Sequence, residues 1–372
     1  MRFRDIIGLE PVKQQLRLSV QEGRIPHARL FVGKEGVGKL PLAIAYAQYL
    51  NCENRTEDDS CGVCPTCLQM SRLQHPDLHF AFPIVKTDSA DVCDDYIDKF
   101  RELVLQQPYF SMDEWYKAMK TESKQAVIYE KESGEILRKL SLKPFGNGYK
   151  VMIIWQSEKM NGTCANKLLK LLEEPPEKTV FLLITEQPEL LLSTILSRVQ
   201  TTRIPLLTEQ QLAGHFPPDI AHIAEGSYLK ALRLTKEDER REKFLNDFIS
   251  LMRNAWNVGH AKKYEDLMQM RAWSLEMATD KQGRELQVAF LQYAQQQVRE
   301  NYIRNFNLPE MNYQISKEAG FSVKFHPFIN DNNVQQIMDE LTKAEQQINQ
   351  NCNAKFVFFD LCLQLIVLIK NS

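Results

Sequence analysis

Residues 33–40 of the chain read GKEGVGKL. Glycine, four residues, glycine and lysine make up the phosphate-loop pattern, which closes on Ser or Thr. Gly33, Gly38 and Lys39 satisfy it, and Gly36 adds a small residue that lets backbone N–H groups turn inward. A strand-like apolar run, Leu30–Val32, precedes the loop, and a helical run, Leu42–Leu50, follows it. A phosphate held there would meet a helix N-terminus. The eighth position is Leu40, which has no hydroxyl to offer the Mg²⁺ that bridges the terminal phosphates of a nucleotide.

A second motif tests that loss. An ATPase with such a loop ends a later strand in Asp-Glu, one carboxylate to hold the metal through water and one to polarise the attacking water. Here KVMIIWQSEKM puts Trp155 and Gln156 at that point, and the spacing directs Glu158 off the strand end. Three groups are thus missing from two separated motifs, and the chemistry is read as abandoned. Gly33, Gly36, Gly38 and Lys39 form a degenerate loop kept for the fold, with residual ATP or ADP binding left open.

Four of the eight cysteines crowd into one stretch: Cys52, then Cys61, Cys64 and Cys67 as C-x2-C-x2-C. Four thiolates close a tetrahedral Zn²⁺ shell with no open position for water, so the expected metal is structural and stabilises a protruding loop. A ferredoxin-type cluster would need a further x3-C-P, and Leu68-Gln69-Met70 follows instead. Free thiols are the other alternative. His75 and His79 are read as loop or surface residues, and Cys93, Cys164, Cys352 and Cys362 as reduced packing residues.

The elements that must carry these motifs alternate. Val151–Trp155 and Val180–Thr185 are further apolar runs, separated by helical stretches, which predicts a parallel sheet covered on both faces. After Pro205 short helical patterns dominate, first Thr208–Phe216 and then Ile220–Leu234. From about residue 241 the chain reads as nearly all helix; Val334, Ile337, Met338, Leu341 and Ile348 keep the rhythm of one buried face. The stretch 80–125, acidic at Asp91, Asp94 and Asp95 and aromatic at Tyr109, Phe110, Trp115 and Tyr116, is read as a helical insertion packed on the first domain, with a dedicated partner surface as the alternative. The three-domain expectation is 1–205 for the α/β domain with the zinc module at 52–67, 206–240 for a small helical lid, and 241–372 for a helical C-terminal domain.

The whole composition allows this plan. Apolar residues make up 44% and charged residues 25% of 372, and a net charge of −2 gives no global basic field. DNA contact would therefore come from a local patch or from a partner. The N-terminus MRFRDIIGLE lacks an export signal. Phe356–Ile369, the longest apolar run, is too short to span a bilayer and is read as a buried helix. A cytoplasmic chain is expected, without membrane association.

With these residues in hand, the chain resembles the AAA+ clamp-loader subunits of bacterial DNA polymerase III. IIGLEPVKQQL…GRIPHARLFVGKEGVGK, the cysteine insert followed by HPDL at 75–78, NKLLKLLEEPP at 166–176 and FLLITEQPELLLSTILSR at 181–198 carry the resemblance, over about residues 1–235. It implies a RecA-like AAA+ parallel-sheet domain, a lid and an all-helical oligomerisation collar. Within the family, intact motifs mark the gamma/tau ATPases and their loss marks the delta-prime branch. The branch implies a non-catalytic, stator-like subunit of a heteropentamer, beside gamma/tau and delta, that helps load the sliding clamp onto primer-template DNA.

It also implies an arginine finger reaching a neighbour's ATP. The family places that arginine in Ser-Arg-Cys, matched here by Ser197-Arg198-Val199, with the cysteine replaced by valine. A guanidinium suits the task because it is permanently charged and forks onto phosphate oxygens; read without the resemblance, Arg198 is an ion-pair residue at a strand end. Thr185 lies at the family's polar sensor position and is read as simply ending the strand, and Leu229 stands where motor subunits tend to carry a phosphate-sensing arginine, a third sign that the site has lost its chemistry. Two alternatives stand beside this reading: an active gamma/tau-type ATPase with an unorthodox site, and a zinc-dependent nucleic-acid-binding module with Arg55 and Arg72 at its flanks.

Overall fold

The computed structural model describes residues 1–121, 125–146, 148–236, 238–279 and 283–370, the side chains of 238, 239 and 309 excepted. Of the 80–125 insertion, residues 122–124 lie outside this description. Two compact units form, Met1–Leu232 and Arg233–Ser372.

The first unit is built on five parallel strands: β1 (Ala28–Val32), β2 (Leu78–Ala81), β3 (Lys150–Ile154), β4 (Thr179–Thr185) and β5 (Gln200–Arg203), in the order β2-β3-β4-β1-β5. This is the parallel sheet of a mixed α/β unit that the alternating pattern predicts. β3 and β4 are buried along their whole length, which is why they read as unbroken apolar runs. β5 lies at the edge, with three of its four residues exposed, and its QTTR sequence carries no apolar signal. The helix Lys39–Asn51 after β1 is buried on every side and is therefore apolar all round rather than amphipathic.

The insertion packs onto this unit as a helical element. Its helices Ile97–Gln106 and Met112–Met119 carry Phe100 and Trp115 into an aromatic cluster with Phe80, Phe82 and Trp155. Phe82 and Phe100 stack at 4.1 Å, and the fully buried Trp115 donates its Nε1–H to the Pro83 carbonyl at 2.7 Å.

The helical stretch read over Ile220–Leu234 is two helices, Pro218–Ile223 and Tyr228–Lys236. The break falls at Glu225 and Gly226, both at positive φ. At Gly226 (φ +82°) a Cβ would sit 2.7 Å from the Leu206 Cβ and the Leu207 carbonyl, so glycine alone fits.

The second unit is helical: Asp238–Gly259, Glu265–Thr279, Gly283–Arg304, Ser316–Phe325, Val334–Asn349 and Ala354–Lys370 surround a separate apolar core. Ile337, Leu341 and Ile348 are buried as their spacing requires. The last helix is buried on one face only, through Val357, Phe358, Leu361, Cys362, Leu365 and Ile369. Phe356, Leu363 and Val367 are exposed on the other. Among the described residues no helix is long and apolar enough to cross a membrane.

Candidate functional site

The glycine-rich loop joins β1 to the helix Lys39–Asn51 as the motif requires, with Gly36 (φ +78°) and Gly38 (φ +94°) in the left-handed conformation that glycine tolerates. Its lysine is turned inward. Lys39 Nζ donates to the carbonyls of Gly33 at 2.7 Å and Lys34 at 2.6 Å and lies 3.3 Å from Glu186 Oε1. Only 6% of Lys39 is exposed, and burial pulls its ammonium below the ordinary pKa against the opposing pull of Glu186. The charge that would face a phosphate is shared among oxygens of the protein itself.

The space over the loop is filled as well. Tyr109 and Phe110 arrive from the insertion and Trp155 from the end of β3, with Phe110 and Trp155 4.9 Å apart. A Cβ on Gly38 would lie 3.0 Å from the Tyr109 ring. From the other side, the N-terminus of the helix Tyr228–Lys236 closes on the loop: Tyr228 N–H donates to the Gly36 carbonyl at 3.0 Å and Ser227 Oγ to the Glu35 carbonyl at 3.1 Å. Tyr228 and Tyr109 meet ring to ring at 4.3 Å. Buried Leu229 is close enough that a Cβ on Gly36 would come within 2.7 Å of it. A cavity of about 20 Å³ remains between loop and rings, enough for roughly one water and not for a phosphate group. The residues present do not fit a nucleotide in this arrangement.

The acid-motif positions agree. Trp155 and Gln156 are both buried, and Gln156 Nε2 donates to Glu186 at 3.2 Å. Glu158 does come near the strand ends, accepting the Glu186 N–H at 3.4 Å, and burial raises its carboxyl above the usual range. Thr185 is fully buried and its Oγ1 accepts the Gln187 N–H at 3.1 Å. Glu186 escaped the sequence reading, as did the place of Tyr109 and Phe110 over the loop. The only signal for the two rings was the aromatic content of the insertion, which does not say what they face.

The four cysteines converge. One sulfur from each of Cys52, Cys61, Cys64 and Cys67 lies within 4.8 Å of every other, and among the described residues no histidine or carboxylate joins them. Cys61 and Cys67 sulfurs are 3.9 Å apart; a tetrahedral zinc shell with Zn–S of about 2.3 Å sets its sulfurs about 3.8 Å apart. Backbone N–H groups of Cys61, Cys64 and Cys67 point at the sulfurs of Cys52, Cys61 and Cys64, at 3.2, 3.3 and 3.4 Å. Amides aimed this way stabilise thiolates, and those of Val63 and Cys64 bring the Cys61 thiol down to about 6. The cluster can hold a metal ion. His75 and His79 lie outside it: His75 is buried in its loop, its Nδ1 accepting the Asp77 N–H at 3.1 Å, and His79 stands on β2.

Arg198 is far in sequence from both clusters and follows the short helix Ser193–Leu196. Its Nε donates to Glu173 Oε1 at 2.9 Å, with a second contact from Nη2, and its Nη1 to the Thr194 carbonyl at 2.8 Å. The pair is partly exposed, so the guanidinium is oriented at the surface without being buried.

Comparison with known proteins gives the following. The family model described as DNA polymerase III, delta subunit matches residues 8–208. Over 251 residues the chain is 31% identical to DNA polymerase III subunit delta' of Bacillus subtilis (strain 168), covering 64% of this chain and 63% of that protein. It is 27% identical over 213 residues to DNA polymerase III subunit tau of the same organism, and 30% over 250 residues to subunit tau of Escherichia coli (strain K12). Those two matches cover 57% and 63% of this chain and 31% and 32% of the relatives. The match thus spans under two thirds of delta' and about a third of each tau. A DNA polymerase III gamma subunit-related protein from Thermotoga maritima overlays 96% of the chain and 99% of its own, with a TM-score of 0.39 and 13% identity.

Proposed function

The chain belongs to the DNA polymerase III delta-subunit family, and from that membership we propose that it is a clamp-loader subunit of the delta-prime kind, which holds no ATP at its phosphate loop, hydrolyses none, and acts on a neighbour's nucleotide. The observation that carries this reading is the filled phosphate loop: Lys39 is held by Gly33, Lys34 and Glu186, and Tyr109, Phe110 and Trp155 leave only about 20 Å³ beside Gly36, Gly38 and Lys39. Leu40 supports it further, since no hydroxyl is available for Mg²⁺ even if the rings moved.

In this reading Arg198 is the arginine finger. Glu173 holds it in a defined direction, and its partial exposure leaves it open to a second chain. Its guanidinium would take up charge moving onto the γ-phosphate of a gamma/tau neighbour in the transition state. Residues 206–240 serve as a lid and 241–372 as the collar, where exposed Phe356, Leu363 and Val367 offer an apolar stripe to the gamma/tau or delta partners. The assembled loader then places the sliding clamp on primer-template DNA in the cytoplasm.

Cys52, Cys61, Cys64 and Cys67 hold a structural Zn²⁺, which organises the loop between the helices Lys39–Asn51 and Pro65–Ser71. A second reading, an active gamma/tau-type ATPase, is favoured by the similarity to the tau subunits.

DNA-stimulated ATPase of the reconstituted loader separates the two. With Lys39→Ala in this chain, turnover is expected to stay at the wild-type level. With Arg198→Ala, the site it serves is expected to slow by about 10³-fold, the scale of a lost arginine finger. The opposite pattern, a slow Lys39→Ala loader and a normal Arg198→Ala loader, would establish the ATPase.

A further inference from the structure

A cavity of about 660 Å³ opens in the helical unit Arg233–Ser372, away from any residue used above. Three arginines line it. Arg240 and Arg241 come from the first turn of the helix Asp238–Gly259, and Arg284 from the first turn of Gly283–Arg304. Both helices thus bring their positively polarised ends to the same space.

The three guanidinia differ in what they are already doing. Arg241 is anchored: its Nε and Nη2 fork onto the fully buried Glu318 at 2.7 and 3.0 Å, and Tyr293 Oη donates to the same carboxylate at 2.8 Å. That ion pair fixes one wall and neutralises itself. Arg240 lies over the Phe244 ring at 5.6 Å, its Nε is buried without a hydrogen-bond partner, and it makes no ion pair among the described residues. Exposed Arg284 makes none either. Among the described residues, two cations without an ion-pair partner therefore line a cavity to which Glu285 brings a carboxylate.

A buried guanidinium nitrogen without an acceptor is costly unless a ligand supplies one. Forked donors on two sides suit a group with several oxygens and more than one negative charge, which is the chemistry of phosphate and pyrophosphate. Beyond the arginines, Val288 and Ala289 add apolar side chains and Gln296 an amide to the lining, the residue types that suit the body of a small ligand beside its phosphate. The volume lies in the range of small-ligand sites.

We propose that this cavity binds a phosphate-bearing small molecule of nucleotide size, with Arg240 and Arg284 as its phosphate ligands and Arg241 as the residue that holds the wall in place. The site is separate in sequence and chemistry from the phosphate loop.

Isothermal titration calorimetry of the full chain tests this, with pyrophosphate, ATP and a single-stranded oligonucleotide as probes. Saturable one-to-one binding of pyrophosphate or ATP is expected. It should weaken roughly tenfold in Arg284→Gln and about a hundredfold in Arg240→Gln/Arg284→Gln, as loss of charge-assisted hydrogen bonds implies. Lys39→Ala should leave it unchanged. Arg284 is exposed, so its variant keeps the fold and the first comparison stands even if the double variant is destabilised. The proposal is overturned by absence of saturation up to about 10 mM of both small probes. Binding indifferent to Arg284→Gln, binding lost in Lys39→Ala, or binding of the oligonucleotide alone would overturn it equally.

Discussion

Lys39 and Arg198 are both cations of the first unit, and the difference in their surroundings decides what each can do. Lys39 is enclosed by two carbonyls and a carboxylate, so moving it toward a phosphate would strip three contacts from a buried charge. Arg198 sits in a partly exposed pair with Glu173, of the kind that contributes little to stability and can be exchanged for another anion. His79 adds a pH-dependent term. Burial, with Lys139 adding to it, lowers its imidazole to about 4, from an ordinary 6.5. Between those values the unfolded chain takes up a proton that the folded chain refuses, so stability falls as pH drops below 6.5 and the loss is complete near 4. Urea unfolding of wild type and His79→Gln is expected to differ in pH dependence by about 2 kcal/mol between pH 7 and 5, the wild type losing more. Equal slopes would mean that His79 is protonated in the folded chain.

At the scale of elements, the end of β3 beside the phosphate loop is part of the core. Trp155 is 4% exposed and touches Phe100 and Phe110, so a position that would carry a metal-binding carboxylate now joins the insertion to the sheet. Trp155→Ala is expected to cost about 3–5 kcal/mol in urea unfolding, as truncation of a packed aromatic does. A loss under about 1 kcal/mol would indicate an open slot at the strand end. Trp155→Asp should likewise destabilise the chain and create no ATPase, because Leu40, Tyr109 and Phe110 remain. The sequence carried the loop, the cysteine cluster, and β1, β3 and β4, since each is marked by residue spacing or by full burial. It did not carry β5, whose edge position demands no apolar residues, or the turn at Gly226, where tertiary crowding breaks a stretch with helical rhythm. The role of Tyr109 and Phe110 was equally out of reach: an aromatic residue announces burial and leaves its partner unnamed, and the loop they cover lies some 70 residues upstream.

At the scale of the whole molecule, the chain holds two cores of different origin. The first gathers around a parallel sheet with distant pairings, with the cysteine cluster as a small separate group in the same unit; the second is built from helices with its own buried set, from Phe244 to Ile369. A unit with its own core is expected to fold by itself. Residues 233–372 expressed alone should therefore show helical circular dichroism and cooperative unfolding. In the full chain, purified protein should contain about one zinc, as one four-thiolate site requires. Stripping it with a strong chelator under reducing conditions should lower the melting transition assigned to the first unit, because Cys52, Cys61, Cys64 and Cys67 then lose the ion that holds their loop. The transition of the 233–372 fragment should not move. The fragment is the control that gives the experiment its meaning, since a chelator that shifts both transitions acts on something other than the cysteine cluster, and one that shifts neither leaves the four sulfurs without a structural metal.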